Sequence, residues 1–261
     1  MKILALVGSN RKQGNTARLV QMIEAQMQAL AARHGAPLEF EMLFLGDKDT
    51  RHCRGCRVCF DRGEAECPLK DDIPLIRAKM DAADGLILAS PVYVNDVSSI
   101  TKAWIDRLAY ICHRPALAGK CAYLIATVAD SPAGHTLQTM SIALRTWGYH
   151  IVGQAGYKMG ALLPQAELER RLTKEAGRVA EALFQAVAGQ HALRPAFFSL
   201  GMFKIQQMAW QREPPDSVDY AYWQGKGWLE PACTFYITHR AHPVKVALAR
   251  AAGAVIFRFI S

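Results

Sequence analysis

The sequence predicts an α/β fold, a doubly wound five-stranded parallel sheet carrying a C-terminal extension, and three observations predict it. Short apolar runs alternate with stretches of helical period five times between residues 1 and 190. The runs are strand-length and apolar, as strands covered by helices on both faces must be. The chain of 261 residues is 51% hydrophobic and 21% charged, enough for a substantial core without covalent staples. Right-handed crossovers leave few ways to connect such units, and the doubly wound sheet is the economical one.

The first run, residues 2–7 (K-I-L-A-L-V), ends at Gly8 and meets polar residues at once. It is too short for the apolar core of a secretion signal and reads as a buried strand. Residues 15–33 follow with Ala17, Val20, Ile23 and Met27 at helical spacing. Residues 38–45 are strand-like, 72–83 helical, and 85–89 (G-L-I-L-A) a buried strand ending at Ser90-Pro91. A helix over 100–111, a strand over 122–128 and a helix over 136–147 come next. A strand over 149–153 and a long helix over 165–187 complete the set.

No stretch is long and uncharged enough to cross a bilayer. Seven cysteines, an odd number with four of them clustered, argue against a secreted disulfide framework and point to a reducing cytoplasm. The formal net charge of +8 comes from scattered Lys and Arg, with no basic stripe interleaved with aromatics. Nucleic acid is therefore not the expected partner; a phosphate-bearing cofactor or an anionic partner fits the surplus.

Two clusters carry chemistry. The first strand ends in G-S-N-R-K-Q-G-N-T, residues 8–16. Gly8 and Gly14 permit tight backbone, Ser9, Asn15 and Thr16 offer hydroxyl and amide donors, and Arg11 brings a fixed charge. With the unpaired N–H groups of a helix N-terminus, these make a socket for one phosphate. Neither G-x-G-x-x-G nor the Walker pattern is met, so a nucleoside triphosphate is not indicated. The alternative is that Asn15 and Thr16 only cap the helix. The second cluster is Cys53, Cys56, Cys59 and Cys67, spaced C-x-x-C-x-x-C-x₇-C. Thiolates so spaced can converge on one soft metal centre. Three readings stay open: an iron–sulfur cluster, free or redox-active thiols, and a structural zinc site, although Cys₄ zinc sites usually come as two separated C-x-x-C pairs.

These motifs resemble those of the flavodoxin-like flavoproteins, in the branch of NADPH-dependent FMN reductases and iron–sulfur flavoproteins. The G-S-N-R-K-Q-G-N-T turn matches that family's first loop, and S-P-V-Y-V-N-D-V-S-S at residues 90–99 matches the loop along its isoalloxazine ring. K-A-W-I-D-R at 102–107 matches the helix after it, and the resemblance covers residues 1–190. It implies the strand order 2-1-3-4-5 and FMN held at its phosphate by Ser9, Arg11, Gly14, Asn15 and Thr16. The ring would lie along Pro91, Val92, Tyr93, Val94 and Asn95, with a third wall from residues 127–136 that brings Thr127 and Asp130 into reach. Relatives are more glycine-rich in that third loop.

The resemblance also implies a [4Fe-4S] cluster on Cys53, Cys56, Cys59 and Cys67, the last leading into P-L-K-D-D. Arg51, Arg54 and Arg57 would offset the cluster's negative charge, while Glu64 and Glu66 oppose it. The x₇ gap is at the long end of the family pattern. The implied activity is an FMN-dependent oxidoreductase using NAD(P)H, with a small-molecule or protein acceptor, in a homodimer or homotetramer. No catalytic nucleophile is expected, since flavin chemistry needs none. A cluster-free NAD(P)H-dependent FMN or quinone reductase, and a non-catalytic electron carrier or redox-sensing module, are the alternatives. His113, His135 and His150 belong to no motif and are expected to be structural.

After Gly189 the pattern changes, so residues 191–261 are expected to extend the 1–190 domain rather than form an independent one. The segment D-Y-A-Y-W-Q-G-K-G-W-L, residues 219–229, offers Tyr222, Trp223 and Trp228 either to cover a flavin or to pack in a core or subunit interface. Residues 243–260 are helical in composition and mix Lys245, Arg250 and Arg258 with apolar residues. Arg250 at mid-span argues against crossing a bilayer and leaves docking on a partner subunit or contact with a membrane surface.

Overall fold

The computed structural model describes residues 1–160, 164–189 and 193–260. Six strands form the sheet: β1 (Lys2–Val7), β2 (Glu39–Phe44), β3 (Gly85–Tyr93), β4 (Asp96–Val97), β5 (Cys121–Val128) and β6 (His150–Lys158). Five of them run parallel in the order β2-β1-β3-β5-β6, and β4 is a short antiparallel addition to β3. With β4 set aside, this is the expected 2-1-3-4-5 order. Strand order reverses between β1 and β3, and in such sheets ligands bind outside the carboxyl ends of the strands at that point.

Alternation of side chains along β1 sends Ile3, Ala5 and Val7 to one face and Leu4 and Leu6 to the other, all buried. The first face packs on α1 (Asn15–Arg33) and α6 (Gln165–Ala188). The second packs on α3 (Ile73–Ala82), α4 (Ser99–Arg107) and α5 (Gly134–Thr146), where Trp104 and Trp147 meet edge to face at 5.1 Å. A single turn of helix, α2 (Val58–Asp61), interrupts the cysteine segment.

Three element boundaries differ from expectation, each for a local reason. Strand β3 continues through Ser90-Pro91 to Tyr93 because it folds into a hairpin with β4. The turn residues Val94 and Asn95 both have left-handed backbone, φ 47° and 64°, as a two-residue turn of the twisted type requires. Strand β6 runs five residues past Gly153; Gln154, Gly156 and Lys158 on this edge strand carry no apolar signal. Helix α4 stops at Arg107, and the chain tightens into a 3₁₀ turn over Ala109–Cys112.

The extension contributes α7 (Phe197–Trp210), α8 (Val218–Gly225) and α9 (Pro243–Ile260). Phe203, Trp223 and Trp228 form a third small core with Phe235 and Tyr236. Gln207, fully buried inside it, donates through Nε2 to the carbonyls of Trp228 (2.8 Å) and Glu230 (3.0 Å). Trp223 and Trp228 are thus packed within the chain's own extension. Helices α7 and α9 meet at glycines: a Cβ on Gly253 would stand 2.5 Å from the Gly201 carbonyl oxygen. The expected boundary at 190/191 lies outside the described residues. No described helix is long and apolar enough to cross a membrane.

Candidate functional site

Three loops leave the carboxyl ends of β1, β3 and β5, and buried hydroxyl groups tie them together. Gly8 N–H donates to the Ala89 carbonyl (2.7 Å), and Ser98 Oγ donates to the Gly8 carbonyl (2.7 Å). Ser98 also caps α4, accepting from Thr101 N–H, while its own N–H reaches Ser90 Oγ at 3.0 Å. Thr16 Oγ1 lies 2.6 Å from Thr127 Oγ1, joining the first loop to the third. Thr136 Oγ1 donates to the Asn95 carbonyl (3.4 Å), closing the triangle. The loops are therefore positioned before any ligand arrives.

Gly8 shows how tightly. A Cβ there would stand 1.8 Å from Thr101 Oγ1, whose side chain is fully buried. Gly8→Ala is expected to destabilise the chain by about 1–3 kcal/mol through overpacking, read as a lower urea midpoint.

The phosphate socket has a division of labour that the motif did not disclose. Gly14 sits at the N-cap of α1 with no side-chain cap, so neither Asn15 nor Thr16 acts as a cap and the first-turn N–H groups stay open. Arg11 and Asn15 are exposed beside them. Ser9 and Thr16 are buried and brace the loop: Ser9 Oγ accepts from Arg11 N–H at 3.1 Å, which leaves its hydroxyl hydrogen free to donate. In the Thr16–Thr127 pair one hydroxyl hydrogen likewise remains available. Along the second loop, Tyr93 is 55% exposed and Val94 lies fully open at the hairpin tip. A β-branched residue with left-handed backbone is a strained arrangement of the kind that gathers at binding sites. Asp130, in the third loop, is solvent-exposed and pairs with Lys158 at 3.0 Å.

At the C-terminal end of α4, the four cysteines line one cavity of about 800 Å³ together with Phe60, Asp71, Arg107 and Tyr110. Cys53 and Cys56 are exposed, Cys59 and Cys67 half-buried, and none is in a disulfide. Left-handed backbone at Gly55 (φ 66°), Arg57 (φ 61°) and Gly63 (φ 100°) bends the segment around the cavity. Gly55 N–H donates to Cys53 Sγ at 3.4 Å and Arg107 Nη2 to Cys67 Sγ at 3.5 Å. Burial first, then the nearby Cys67 and Cys53, pushes the Cys59 thiol pKa up. Among the described residues, no three His, Cys, Asp or Glu side chains are gathered closely enough to hold a metal ion.

Of the arginines expected to offset charge, Arg54 and Arg57 line the cavity with the cysteines. Arg51 pairs with Asp49 (3.4 Å) and Arg57 with Asp61 (3.2 Å), both on the surface. Two buried arginines add to them. Arg107 forms an ion pair with Asp71 (2.7 Å), the side chains 4% and 0% exposed, and donates to the Leu69 carbonyl. Arg114, 3% exposed at its side chain, donates to the Cys59 carbonyl (2.6 Å), to Glu64 (3.2 Å) and to Asp219 on α8. Glu64 thereby shares a cationic partner with Asp219. His113 is held by its neighbours: Nδ1 lies 2.7 Å from Asp219, and its ring packs against Phe60 (4.7 Å) and Trp210 (4.8 Å). His135 stands 3.6 Å from Asp96, and His150 is exposed. Sequence reasoning missed Arg114 and Asp219 because they are 105 residues apart with no shared motif. Ser98 did carry a signal, a serine opening a helical run.

Comparison with known proteins gives these sites a family. The family model for NADPH-dependent FMN reductase matches residues 1–161, which contain all three loops and the cysteine segment. The chain is 28% identical over 235 residues to an iron-sulfur flavoprotein of Archaeoglobus fulgidus, covering 88% of this chain and 100% of that protein. It is 41% identical over 107 residues to iron-sulfur flavoprotein MJ1083 of Methanocaldococcus jannaschii, covering 41% of this chain and 51% of that one. The chain thus spans the whole length of the first and about half of the second. Among solved structures, Smu.1420 of Streptococcus mutans superposes with a TM-score of 0.51 at 15% identity, over 69% of this chain and 98% of that one, a likeness of fold alone. The chain belongs to the NADPH-dependent FMN reductase family.

Proposed function

We propose that this protein is an FMN-dependent oxidoreductase that takes electrons from NAD(P)H and holds a [4Fe-4S] cluster on Cys53, Cys56, Cys59 and Cys67, with a small molecule or protein as acceptor. The observation that carries the cluster is that all four thiols line one cavity of about 800 Å³, with N–H donors already on two of the sulfurs. The relatives named iron-sulfur flavoproteins support the same reading. Bound FMN supplies two-electron exchange with a hydride donor, and a cluster supplies one-electron exchange.

The chain's own residues divide the remaining work. The open N–H groups of α1 with Arg11 and Asn15 fit a phosphate monoester, and Gly8 leaves room for the Thr101 and Ser98 hydroxyls that hold the loop. Tyr93 and Val94 present an exposed apolar edge to a planar ring. Arg107 and the Gly55 N–H place positive charge and hydrogen bonds on thiolate sulfur, which favours added negative charge there. Arg114 holds the Cys59 backbone from behind.

The cluster-free reductase is the second reading, favoured by the wide setting of the cysteines noted above. Whether the protein is an enzyme or a carrier is tested by steady-state NADH and NADPH oxidation with added quinone. Sustained acceptor-dependent turnover supports the enzyme. Negligible turnover by FMN-loaded protein that is still reduced by a protein donor would move it to the carriers.

A further inference from the structure

We infer that the outward face of α9, with the start of α7, docks on the surface of an anionic lipid bilayer. The inference is independent of the flavin and cysteine assignments. Helix α9 is amphipathic the wrong way round for a surface helix. Its small inner residues, Ala249 and Gly253, press against α7, while Val244, Leu248, Val255 and Phe259 point outward. Those four stand at i, i+4, i+11 and i+15, a single stripe along one side. Leu248 is 59% and Phe259 85% exposed. Lys245 Nζ bonds the Pro195 carbonyl (2.8 Å), fixing the start of α9 beside the start of α7, where Phe197 and Phe198 are also exposed. Eight of the twelve large hydrophobic side chains that stand exposed among the described residues belong to these two helices.

Charge selects the occupant. Residues 193–212 and 231–260 contain no Asp or Glu, although acidic residues are spread over the rest of the chain. Arg194, Arg240 and Arg258 are exposed there. On the α9 wheel, exposed Arg258 flanks the apolar stripe, where its long side chain can reach headgroups while the stripe enters the acyl boundary. A second copy of the same face would set cation against cation around an apolar seam. Spanning is excluded for the described helices. A surface that is apolar in the middle, with Arg194, Arg240 and Arg258 exposed around it, matches an anionic bilayer.

The test is flotation of the full-length protein with vesicles of phosphatidylcholine containing phosphatidylglycerol, against phosphatidylcholine alone, at low and high salt. Binding to the anionic vesicles that salt weakens is expected. Combined Leu248→Ser, Val255→Ser and Phe259→Ser, and separately Arg258→Glu, should each weaken it about tenfold. Near-ultraviolet circular dichroism checks that each variant is folded. If the triple variant fails to fold, Arg258→Glu and the salt dependence of the unaltered protein decide. The proposal is overturned if the unaltered protein does not float, floats equally with neutral vesicles, or is unaffected by the substitutions. Sedimentation velocity supplies the competing outcome: a dimer that the triple variant dissociates, without vesicle binding, would assign the face to a second copy.

Discussion

Replacing Arg107 with methionine is expected to lower stability by about 3–5 kcal/mol, because it strands a buried carboxylate. The Asp71 side chain is fully buried, and Arg107 is its charge partner at 2.7 Å. What remains to it are the backbone N–H groups of Arg51 (3.0 Å) and Ile73 (3.2 Å). For a chain of this size the loss corresponds to a fall in melting temperature on the order of 10 °C. The double variant Arg107→Met with Asp71→Asn should recover part of the loss, since no unpaired charge is then left inside. A single variant within about 0.5 kcal/mol of the parent would show that the pair is not buried as described. The effect should extend to the cysteines, because Arg107 also holds Cys67 Sγ and the Leu69 carbonyl.

The second large effect is on ligand affinity and leaves stability alone. Arg11→Ala with Asn15→Ala should weaken FMN binding about 100-fold or more, the loss expected from two hydrogen bonds to a charged group. Both side chains are exposed and neither braces the loop, so the melting temperature of the flavin-free protein should not move. Ser9 and Thr16 behave differently: substituting them removes the hydroxyls that hold the loop and its neighbour. Flavin fluorescence titration separates the two classes. Stoichiometric FMN retained by the Arg11/Asn15 variant would contradict the phosphate-socket assignment.

The five parallel strands were legible because each announces itself locally: K-I-L-A-L-V and G-L-I-L-A read as buried strands without any tertiary information. Where hydropathy stops before the strand does, as from Gln154 to Lys158 on the edge strand β6, the reading stopped with it. The β3–β4 hairpin was hidden because its turn is Val-Asn rather than the usual Asn-Gly. Helix α7 was not foreseen: F-F-S-L-G-M-F-K-I-Q-Q-M-A-W is apolar on nearly every side and has a glycine in its middle, so no helical period stands out. The cysteines and the phosphate turn could be read as motifs because their residues are adjacent in sequence. Arg107, Arg114 and Asp219 could not, since their roles arise from contacts between segments 36 to 105 residues apart.

The measurement that bears most directly on the central claim is anaerobic purification followed by a visible spectrum and assays of FMN, iron, zinc and acid-labile sulfide per chain. Flavin bands over a broad brown absorbance, with about four irons and four sulfides per FMN, are the predicted result. Cys59→Ser should remove the iron and sulfide while leaving the flavin. Flavin with neither iron nor zinc would contradict the cluster and leave a flavin reductase with free thiols at Cys53–Cys67, and a chain that binds no FMN at all would contradict the account as a whole.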